Sequence, residues 1–256
     1  MLPYFNLQTF SIGPITIHTW GFFVSLGFGV AILVAYRRAR QTGLDVNKVL
    51  DLVFWIIVAA FIGARFSHVF LYEWPYYREH LGEIIRIDQG GLSSFGGFFG
   101  AAVATILLAR IRRLNFLKYA DVLLYAFPLG WGIGRFGCFL THMHPGQLSS
   151  AWFAVQYPGG ARLDMGIIES FAAFAIFVVF FLLARRRRPD GFFVAVFVTI
   201  YGLLRFGFDF FRSADLPISD TRYFGLTPAQ YGSVALVALG FYLLNYAFRG
   251  SIRKIT

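Results

Sequence analysis

Apolar residues along the chain are grouped into seven stretches of about twenty residues, with short polar segments between them. An α-helix needs roughly 17–25 residues to cross the hydrocarbon core of a bilayer. The pattern therefore predicts an all-α integral membrane protein with about seven transmembrane helices. The predicted spans are Ile17–Ala35, Leu50–Tyr72, Gly91–Ala109, Ala120–Leu140, Gly166–Ala184, Gly191–Phe211 and Tyr231–Ala247.

Basic residues are distributed unevenly between the segments that join these spans. Fifteen Lys and Arg residues fall in residues 37–48, 110–118, 185–188 and 249–254, whereas the alternate segments hold only five. Cytoplasmic segments of membrane proteins are enriched in Lys and Arg. The distribution predicts that the N-terminus is outside and the C-terminus cytoplasmic, which requires an odd number of spans. The five residues of the outer side are Arg78, Arg86, Arg162, Arg212 and Arg222.

Composition supports a membrane environment and argues against a nucleic-acid partner. Hydrophobic residues make up 57% of the chain and charged residues only 14%, against about 25% charged in an average soluble domain. The net charge of +10 comes from short clusters between apolar stretches, which is typical of topology signals rather than of one basic face for nucleic acid. Because no repeat or linker interrupts the pattern, residues 1–256 are interpreted as a single polytopic membrane domain.

Three arginines, Arg65, Arg135 and Arg205, lie inside the apolar stretches. A guanidinium stays charged in proteins, so it is costly in a bilayer unless it faces a polar cavity or an anion. The placement indicates an anionic lipid head group as the binding partner. For Arg65 a second interpretation is equally open, in which it pairs with a carboxylate such as Glu169 or Asp209 and joins two helices.

The densest group of polar residues surrounds Arg135. Gly134 and Gly137 flank it, and small residues would allow this segment to bring a fixed cation close to a lipid phosphate. The alternative is helix packing through the glycines, with the arginine side chain reaching the membrane surface. His142 and His144 follow on the outer side, and an imidazole titrates close to neutral pH, so either is a candidate general base. Otherwise they are interfacial loop residues.

The sixth span carries Tyr201, Arg205 and Asp209 at spacings of four residues, which places them on one helix face. Asp209 is expected to orient the Arg205 guanidinium, and Tyr201 to bond a glycerol hydroxyl or a phosphate. Glu169, near the outer end of the fifth span, is an acid, a base or an arginine partner. A metal site is not expected, because the histidines with Asp164 or Glu169 show no recognised ligand spacing.

Several short segments, spread over nearly the whole chain, are shared in order and spacing with a family of membrane enzymes. They are His18-Thr19-Trp20-Gly21, Gly63-Ala64-Arg65, Asp88-Gln89-Gly90-Gly91-Leu92-Ser93, Gly134-Arg135-Phe136-Gly137, Glu169, Tyr201-Gly202-Leu203-Leu204-Arg205 and Phe210-Phe211-Arg212. In these segments the chain resembles the prolipoprotein diacylglyceryl transferases of bacterial inner membranes.

The resemblance implies a seven-helix enzyme that moves diacylglyceryl from phosphatidylglycerol to the lipobox cysteine thiol of a preprolipoprotein. Its active face would lie towards the periplasm, and it would need no cofactor, because the phospholipid is itself the activated donor. Planar guanidiniums suit the grip on phosphate. The expected catalytic residues are Arg135, Arg205, His142, His144 and Glu169, and the expected substrate-binding residues are Arg65, Gly134, Gly137, Tyr201, Asp209, Trp20 and Ser93.

The chain also departs from the family pattern. Phe95 stands where many relatives carry a histidine proposed as a base, and Cys138 where asparagine is frequent. A phenyl ring cannot accept a thiol proton, so either another group acts as the base or the base is dispensable. These departures keep open a divergent paralogue that binds phosphatidylglycerol but uses another acceptor or acts as a non-catalytic lipid-binding factor. A seven-span transporter or receptor is a further alternative, although no internal repeat is present.

Overall fold

Helices dominate the structure, a computed structural model that describes residues 1–86, 91–216 and 222–252, without the side chains of residues 94, 95 and 248–252. Seven long helices occur in these described ranges, and each overlaps one of the predicted apolar stretches. A four-residue helix, α3 (Trp74–Tyr77), lies between the second and third of them. The long helices are α1 (Thr19–Thr42), α2 (Val46–Ser67), α4 (Ser94–Ile111), α5 (Phe116–Leu140), α6 (Met165–Leu183), α7 (Phe192–Phe208) and α8 (Pro228–Ile252).

Within the described residues, five helical segments are long and apolar enough to cross a membrane. One of them combines α2 with a π-helical turn at His68–Tyr72. Many large apolar side chains on these helices are exposed, as expected for a surface that contacts lipid. The predicted class, a mostly helical integral membrane protein, is therefore confirmed. The five segments are Thr19–Thr42, Val46–Tyr72, Phe116–Leu140, Met165–Leu183 and Phe192–Phe211.

The described residues contain two small antiparallel sheets, which the hydropathy pattern did not predict, one before α1 and one between α5 and α6. A hairpin is formed by β1 (Thr9–Ile12) and β2 (Ile15–His18). A three-stranded sheet precedes α6 in the order β3-β5-β4, and its β4–β5 turn uses Gly159 and Gly160, both with positive φ. Strands this short are hard to predict, because three to five residues give too little alternation of apolar and polar positions. The strands of this sheet are β3 (Pro145–Leu148), β4 (Val155–Tyr157) and β5 (Gly160–Asp164).

The chain divides into two compact units, Met1–Ala35 with Asp121–Thr256, and Tyr36–Ala120. In the unit Tyr36–Ala120, α2 and α4 cross at glycines. A Cβ added at Gly63 would lie 3.1 Å from the Cα of Gly100 and still closer to the carbonyl oxygen of Gly96. The backbones of the two helices are thus in direct contact, and small residues are required at the crossing.

The unit Met1–Ala35 with Asp121–Thr256 has an aromatic core and a second glycine crossing. A Cβ added at Gly27 in α1 would lie 2.5 Å from the carbonyl oxygen of Gly130 in α5. Asp121 of α5 accepts hydrogen bonds from the N–H groups of Gly191 (2.7 Å) and Val194 (2.9 Å) and so caps the start of α7. The core contains Tyr125, Ile176, Phe180, Phe192, Phe193 and Phe197.

The glycine crossing of α1 and α5 leads to a stability prediction. Gly27→Ala should lower the free energy of unfolding by about 1–3 kcal/mol, because the new methyl group meets a backbone oxygen that cannot move away. Gly29→Ala, two residues along the same helix, is the control, since nothing lies within 4 Å of its added Cβ. Thermal unfolding in detergent would measure both. Equal unfolding midpoints for the two variants would contradict a close crossing at Gly27.

Candidate active site

Two buried carboxylates and three arginines form one network at the adjoining ends of α5, α6 and α7. Glu169 in the first turns of α6 has a side chain only 2% exposed. Its Oε2 lies 2.6 Å from Nη2 of Arg135 on α5, and its Oε1 accepts a hydrogen bond from Nη2 of Arg212 at 3.3 Å. Of the three interpretations of Glu169, this geometry shows an arginine partner.

Asp209 holds the other end of the network. It follows α7 directly and is fully buried. Nη1 of Arg205, one turn earlier, donates to its Oδ1 at 2.6 Å, and Nε of Arg212 lies 3.5 Å from the same oxygen. The expected orientation of Arg205 by Asp209 is thus present as a contact. Arg212, which the sequence placed among the basic residues of the outer side and in the segment Phe210-Phe211-Arg212 but not among the site residues, bridges Asp209 and Glu169.

The network carries more positive charge than its own carboxylates compensate. Three guanidiniums and two carboxylates leave one positive charge in a largely buried setting. Among the described residues, Arg205 makes a single hydrogen bond, and the buried Nε of Arg212 has no hydrogen-bond partner. Spare N–H donors and one surplus charge suit a phosphodiester, which bears one negative charge and several acceptor oxygens.

His144 lies beside this network. It directly precedes β3. Gly146, the second residue of β3, forms an antiparallel bridge with Arg212. Arg162 donates to the carbonyl oxygen of Gly146 at 3.1 Å and helps to fix this segment. Burial, together with the positive charges of Arg135, Arg212 and Arg205, lowers the pKa of His144 to about 3. Its imidazole is therefore neutral at physiological pH and has a lone pair available.

His142 has a different environment, although it is only two residues away. It is buried, has a positive φ of 50°, and its ring stacks on Tyr4 with the centroids 4.7 Å apart. Its Nδ1 lies 2.8 Å from Oδ2 of Asp164, which also accepts a hydrogen bond from the Tyr157 hydroxyl at 2.6 Å. Burial and the Asp164 carboxylate raise the pKa of Tyr157 above its usual range. This cluster joins the N-terminal segment to β4, β5 and the start of α6.

Tyr201, Trp20 and the two glycines beside Arg135 occupy packing positions. Tyr201 stacks on Phe197 and makes an edge contact with Trp131. The other three residues lie where α5 meets α1. A Cβ added at Gly137 would be 2.6 Å from Cβ of Phe23 and 3.6 Å from Cα of Trp20, whereas one added at Gly134 would be 3.8 Å from Cγ2 of Val24. Gly137 is thus required for helix packing, and Gly134 is under no such restriction.

Arg65 belongs to the unit Tyr36–Ala120 and is described by itself. It is buried and donates hydrogen bonds to three carbonyl oxygens, those of Ile84 (2.8 Å), Gly91 (3.1 Å) and Glu83 (2.7 Å). Its guanidinium also lies over the ring of Tyr77, 5.1 Å from the centroid. Arg65 therefore fastens the segment between α3 and α4 to the end of α2.

Ser93 marks the start of α4. Its N–H donates to the carbonyl oxygen of Ala64 at 3.0 Å, and its hydroxyl accepts a hydrogen bond from the N–H of Gly96 at 3.3 Å, so it caps the helix. Asp88, Gln89 and Gly90, which carry part of the family resemblance, lie outside the described residues, as does the side chain of Phe95.

Some residues of the site were missed by sequence reasoning but left a signal. Asp164 was weighed only as a metal ligand, yet it stands at the N-cap position before the apolar stretch that becomes α6. Thr227 and Gln230, which contact the Asp209 region, form the Thr-x-x-Gln pattern of a capping box. Arg212 lies in the segment Phe210-Phe211-Arg212 that carries part of the family resemblance, but its contacts with two carboxylates depend on the turn that follows α7.

Comparisons with known proteins show the family to which the chain is similar. The model of the family described as "Prolipoprotein diacylglyceryl transferase" matches residues 8–246. Curated relatives named "Phosphatidylglycerol--prolipoprotein diacylglyceryl transferase" are similar over nearly the full chain. The protein from Nitrosomonas europaea is 32% identical, covering 96% of this chain and 91% of its own. That from Mannheimia succiniciproducens is 31% identical, covering 98% and 97%, and that from Finegoldia magna 31%, covering 96% of both chains.

If Glu169 compensates the charges of Arg135 and Arg212, its removal should lower the free energy of unfolding. Glu169→Gln should lower the free energy of unfolding by about 3 kcal/mol, because it leaves two largely buried guanidiniums without their carboxylate. Glu79→Gln is the matched control, since the ion pair of Glu79 with Arg78 is more than half exposed and should change stability by less than about 0.5 kcal/mol. Chemical denaturation in detergent measures both. Equal stability of the two variants would show that Glu169 does not compensate the arginines.

Proposed function

The chain belongs to the prolipoprotein diacylglyceryl transferase family, and we propose that it moves the diacylglyceryl group of phosphatidylglycerol onto the cysteine thiol of a lipobox-containing preprolipoprotein. Relatives with this activity in their names match it over almost its whole length. This similarity favours the transferase over a divergent paralogue with another acceptor. No cofactor is required, because the phospholipid supplies its own leaving group.

The observation that carries the proposal is the surplus of guanidinium donors in the network of Arg135, Arg205 and Arg212. Their two carboxylate partners, Glu169 and Asp209, hold them in place without neutralising all of them. A phosphodiester placed there would receive charge-assisted hydrogen bonds. Such donors stabilise a leaving group best when they are fixed before the reaction. We assign the grip on the phosphate to Arg135 and Arg205, with Arg212 beside them.

The reaction is a displacement at the glyceryl carbon that carries the phosphate. The cysteine sulfur forms a bond to this carbon while the bond between the carbon and the phosphate oxygen breaks. Glycerol phosphate leaves with an additional negative charge. The guanidiniums stabilise this charge as it develops. The thiol proton must pass to a base, and we assign this role to the neutral imidazole of His144. A bound phosphodiester offsets part of the positive charge around His144, so its basicity rises when the lipid is present.

The site also suggests an orientation in the membrane. We propose seven spanning helices with the N-terminus outside and the C-terminus cytoplasmic, in the inner membrane of a bacterium. In this topology the end of α5 at Arg135, the start of α6 at Glu169 and the end of α7 at Arg205 lie on the periplasmic side, opposite the fifteen basic residues. A secreted preprolipoprotein reaches its lipobox cysteine on that side, and phosphatidylglycerol enters from the bilayer.

Transfer of labelled diacylglyceryl from phosphatidylglycerol to a lipobox peptide by the purified protein tests this function directly. Arg135→Ala should lower kcat/KM at least about 100-fold, because one preorganised cation at the leaving group is lost. Arg78→Ala is the control, since its side chain is 60% exposed and forms an ion pair with the exposed Glu79. Near-normal turnover by Arg135→Ala would remove the central assignment, and the absence of transfer by a folded wild-type protein would favour the paralogue.

A second prediction separates the two histidines. His144→Gln should lower kcat by about 100-fold or more, because the thiol proton loses its acceptor, with little change in KM for phosphatidylglycerol. His142→Gln should lower the unfolding midpoint, since it disturbs the contact with Asp164, and should leave kcat of the folded protein nearly unchanged. The reverse pattern would assign the base to His142.

The pH dependence provides an independent check on His144. A base acts only when unprotonated, so activity is present above its pKa and is lost as the pH falls through it. With a pKa of about 3 in the free protein, His144 should not limit kcat/KM between pH 5 and pH 8, a range that follows from that value. The kcat profile should fall at a higher pH than the kcat/KM profile, because bound lipid offsets the arginines. Identical profiles would contradict this coupling.

A further inference from the structure

The start of α8 is joined to the arginine network through a capping box. The N–H of Gln230 donates to the Thr227 hydroxyl at 3.2 Å, and Oε1 of Gln230 accepts a hydrogen bond from the N–H of Thr227 at 3.0 Å. The Gln230 amide nitrogen Nε2 also donates to the carbonyl oxygen of Phe206 in α7 at 3.2 Å. This arrangement fixes the first turn of α8 against the turn of α7 that carries Arg205.

The Thr227 hydroxyl has a second partner, Oδ2 of Asp209. Its proton direction follows from the two contacts. The N–H of Gln230 can only donate, so it occupies a lone pair of the hydroxyl, and the single hydroxyl proton remains for the carboxylate. Thr227 is 2% exposed, and Asp209 and Gln230 are fully buried. Thr227 therefore acts on Asp209 and is shielded from a ligand bound at the arginines.

The two oxygens of Asp209 thus have different partners. Oδ2 is occupied by Thr227, while Oδ1 faces Arg205 at 2.6 Å and Arg212 at 3.5 Å. Arg205 consequently pairs with one carboxylate oxygen through Nη1 and keeps its other N–H donors. A guanidinium and a carboxylate with two free oxygens prefer to pair through two parallel hydrogen bonds. Without the Thr227 hydroxyl, Arg205 could take both oxygens, and fewer of its donors would remain for a phosphate.

We propose that Thr227 is a positioning residue, which holds Asp209 in the orientation that leaves the Arg205 guanidinium free to bind the phosphodiester of the lipid. This inference rests on the proposed function, since it assumes that Arg205 binds phosphatidylglycerol. It adds a role for the start of α8, whose residues do not touch the reacting groups. The Thr227 hydroxyl acts on Arg205 through the Asp209 carboxylate. Loss of the hydroxyl should therefore weaken lipid binding more than it slows the chemical step.

The test compares Thr227→Val with Thr227→Ser in the purified full-length protein. Binding of phosphatidylglycerol in nanodiscs gives a Kd that does not depend on transfer, and the peptide assay gives KM and kcat. Thr227→Val should raise Kd and KM for phosphatidylglycerol roughly tenfold, the effect of one charge-assisted hydrogen bond. Thr227→Ser keeps the hydroxyl and should restore both values to within about twofold.

Two further variants separate positioning from helix capping. Thr227→Gly removes the hydroxyl but is tolerated at an N-cap, so it should raise Kd even if the valine variant does not fold. Asp45→Ala removes the cap of α2, far along the chain from Asp209, and should lower the unfolding midpoint while leaving Kd unchanged. An unchanged Kd in both the valine and glycine variants would overturn the inference.

The outcomes also distinguish this inference from the proposed function. Wild-type protein that binds phosphatidylglycerol without transferring it would overturn the function, while the effect of Thr227 on Kd would still decide the positioning role. Wild-type transfer with the same KM in all Thr227 variants would overturn the positioning role alone. Wild-type protein that neither binds nor transfers the lipid would overturn both.

Discussion

The charge balance between three arginines and two buried carboxylates is the constraint on which the site depends. A lone guanidinium in a membrane helix is expensive, and its cost is reduced by a carboxylate that is itself desolvated. Glu169 and Asp209 each contact two arginines, and Arg212 is shared between them. Because two carboxylates cannot neutralise three guanidiniums, the folded chain retains a positive site that an anionic ligand completes.

The helix packing follows from the need to assemble this network. Arg135 lies on α5, Glu169 on α6 and Arg212 just after α7, so the contacts of Glu169 at 2.6 Å and 3.3 Å require the helix ends to be fixed closely. Asp121 caps α7 from α5, and the glycines at positions 27 and 130 bring α1 and α5 into backbone contact. Because the glycine crossing and the Asp121 cap stabilise the packing of these helices, Arg135, Glu169 and Arg205 are not needed for that packing and can form the site.

The sequence identified the apolar segments well, because a membrane demands a run of apolar residues that hydropathy detects directly. It also pointed to Arg135, Arg205 and Asp209, which lie in the charged network, since a charge inside such a run is conspicuous and a spacing of four residues defines one helix face. The three-stranded sheet and the bridging role of Arg212 were not predictable in this way. Both depend on pairings between segments far apart in the chain, such as the bridge between Gly146 and Arg212.

The partners of Arg65 illustrate the same limit. The sequence offered a carboxylate or a lipid as its partner, and the structure adds three backbone carbonyl acceptors in an irregular segment, which neither interpretation included. Hydropathy contains no information about where a loop carbonyl points. The three described donors of Arg65 hold the segment between α3 and α4, whereas Arg205 makes one hydrogen bond among the described residues, through Nη1. Two arginines that look equivalent in sequence therefore have different surroundings, and only those of Arg205 support the proposed binding of a phosphate.

The same distinction applies to the two histidines and to the missing base. Phe95 cannot take a proton, so the chain needs an acceptor elsewhere if it transfers diacylglyceryl. His142 already uses Nδ1 on Asp164 and is enclosed by aromatic rings, while His144 is held neutral beside the arginines that would bind the lipid. The positive charges of Arg135, Arg212 and Arg205 suppress protonation of His144. Under the proposed function the same charges would bind the phosphate, so a bound lipid would raise the basicity of His144 through the same electrostatic field.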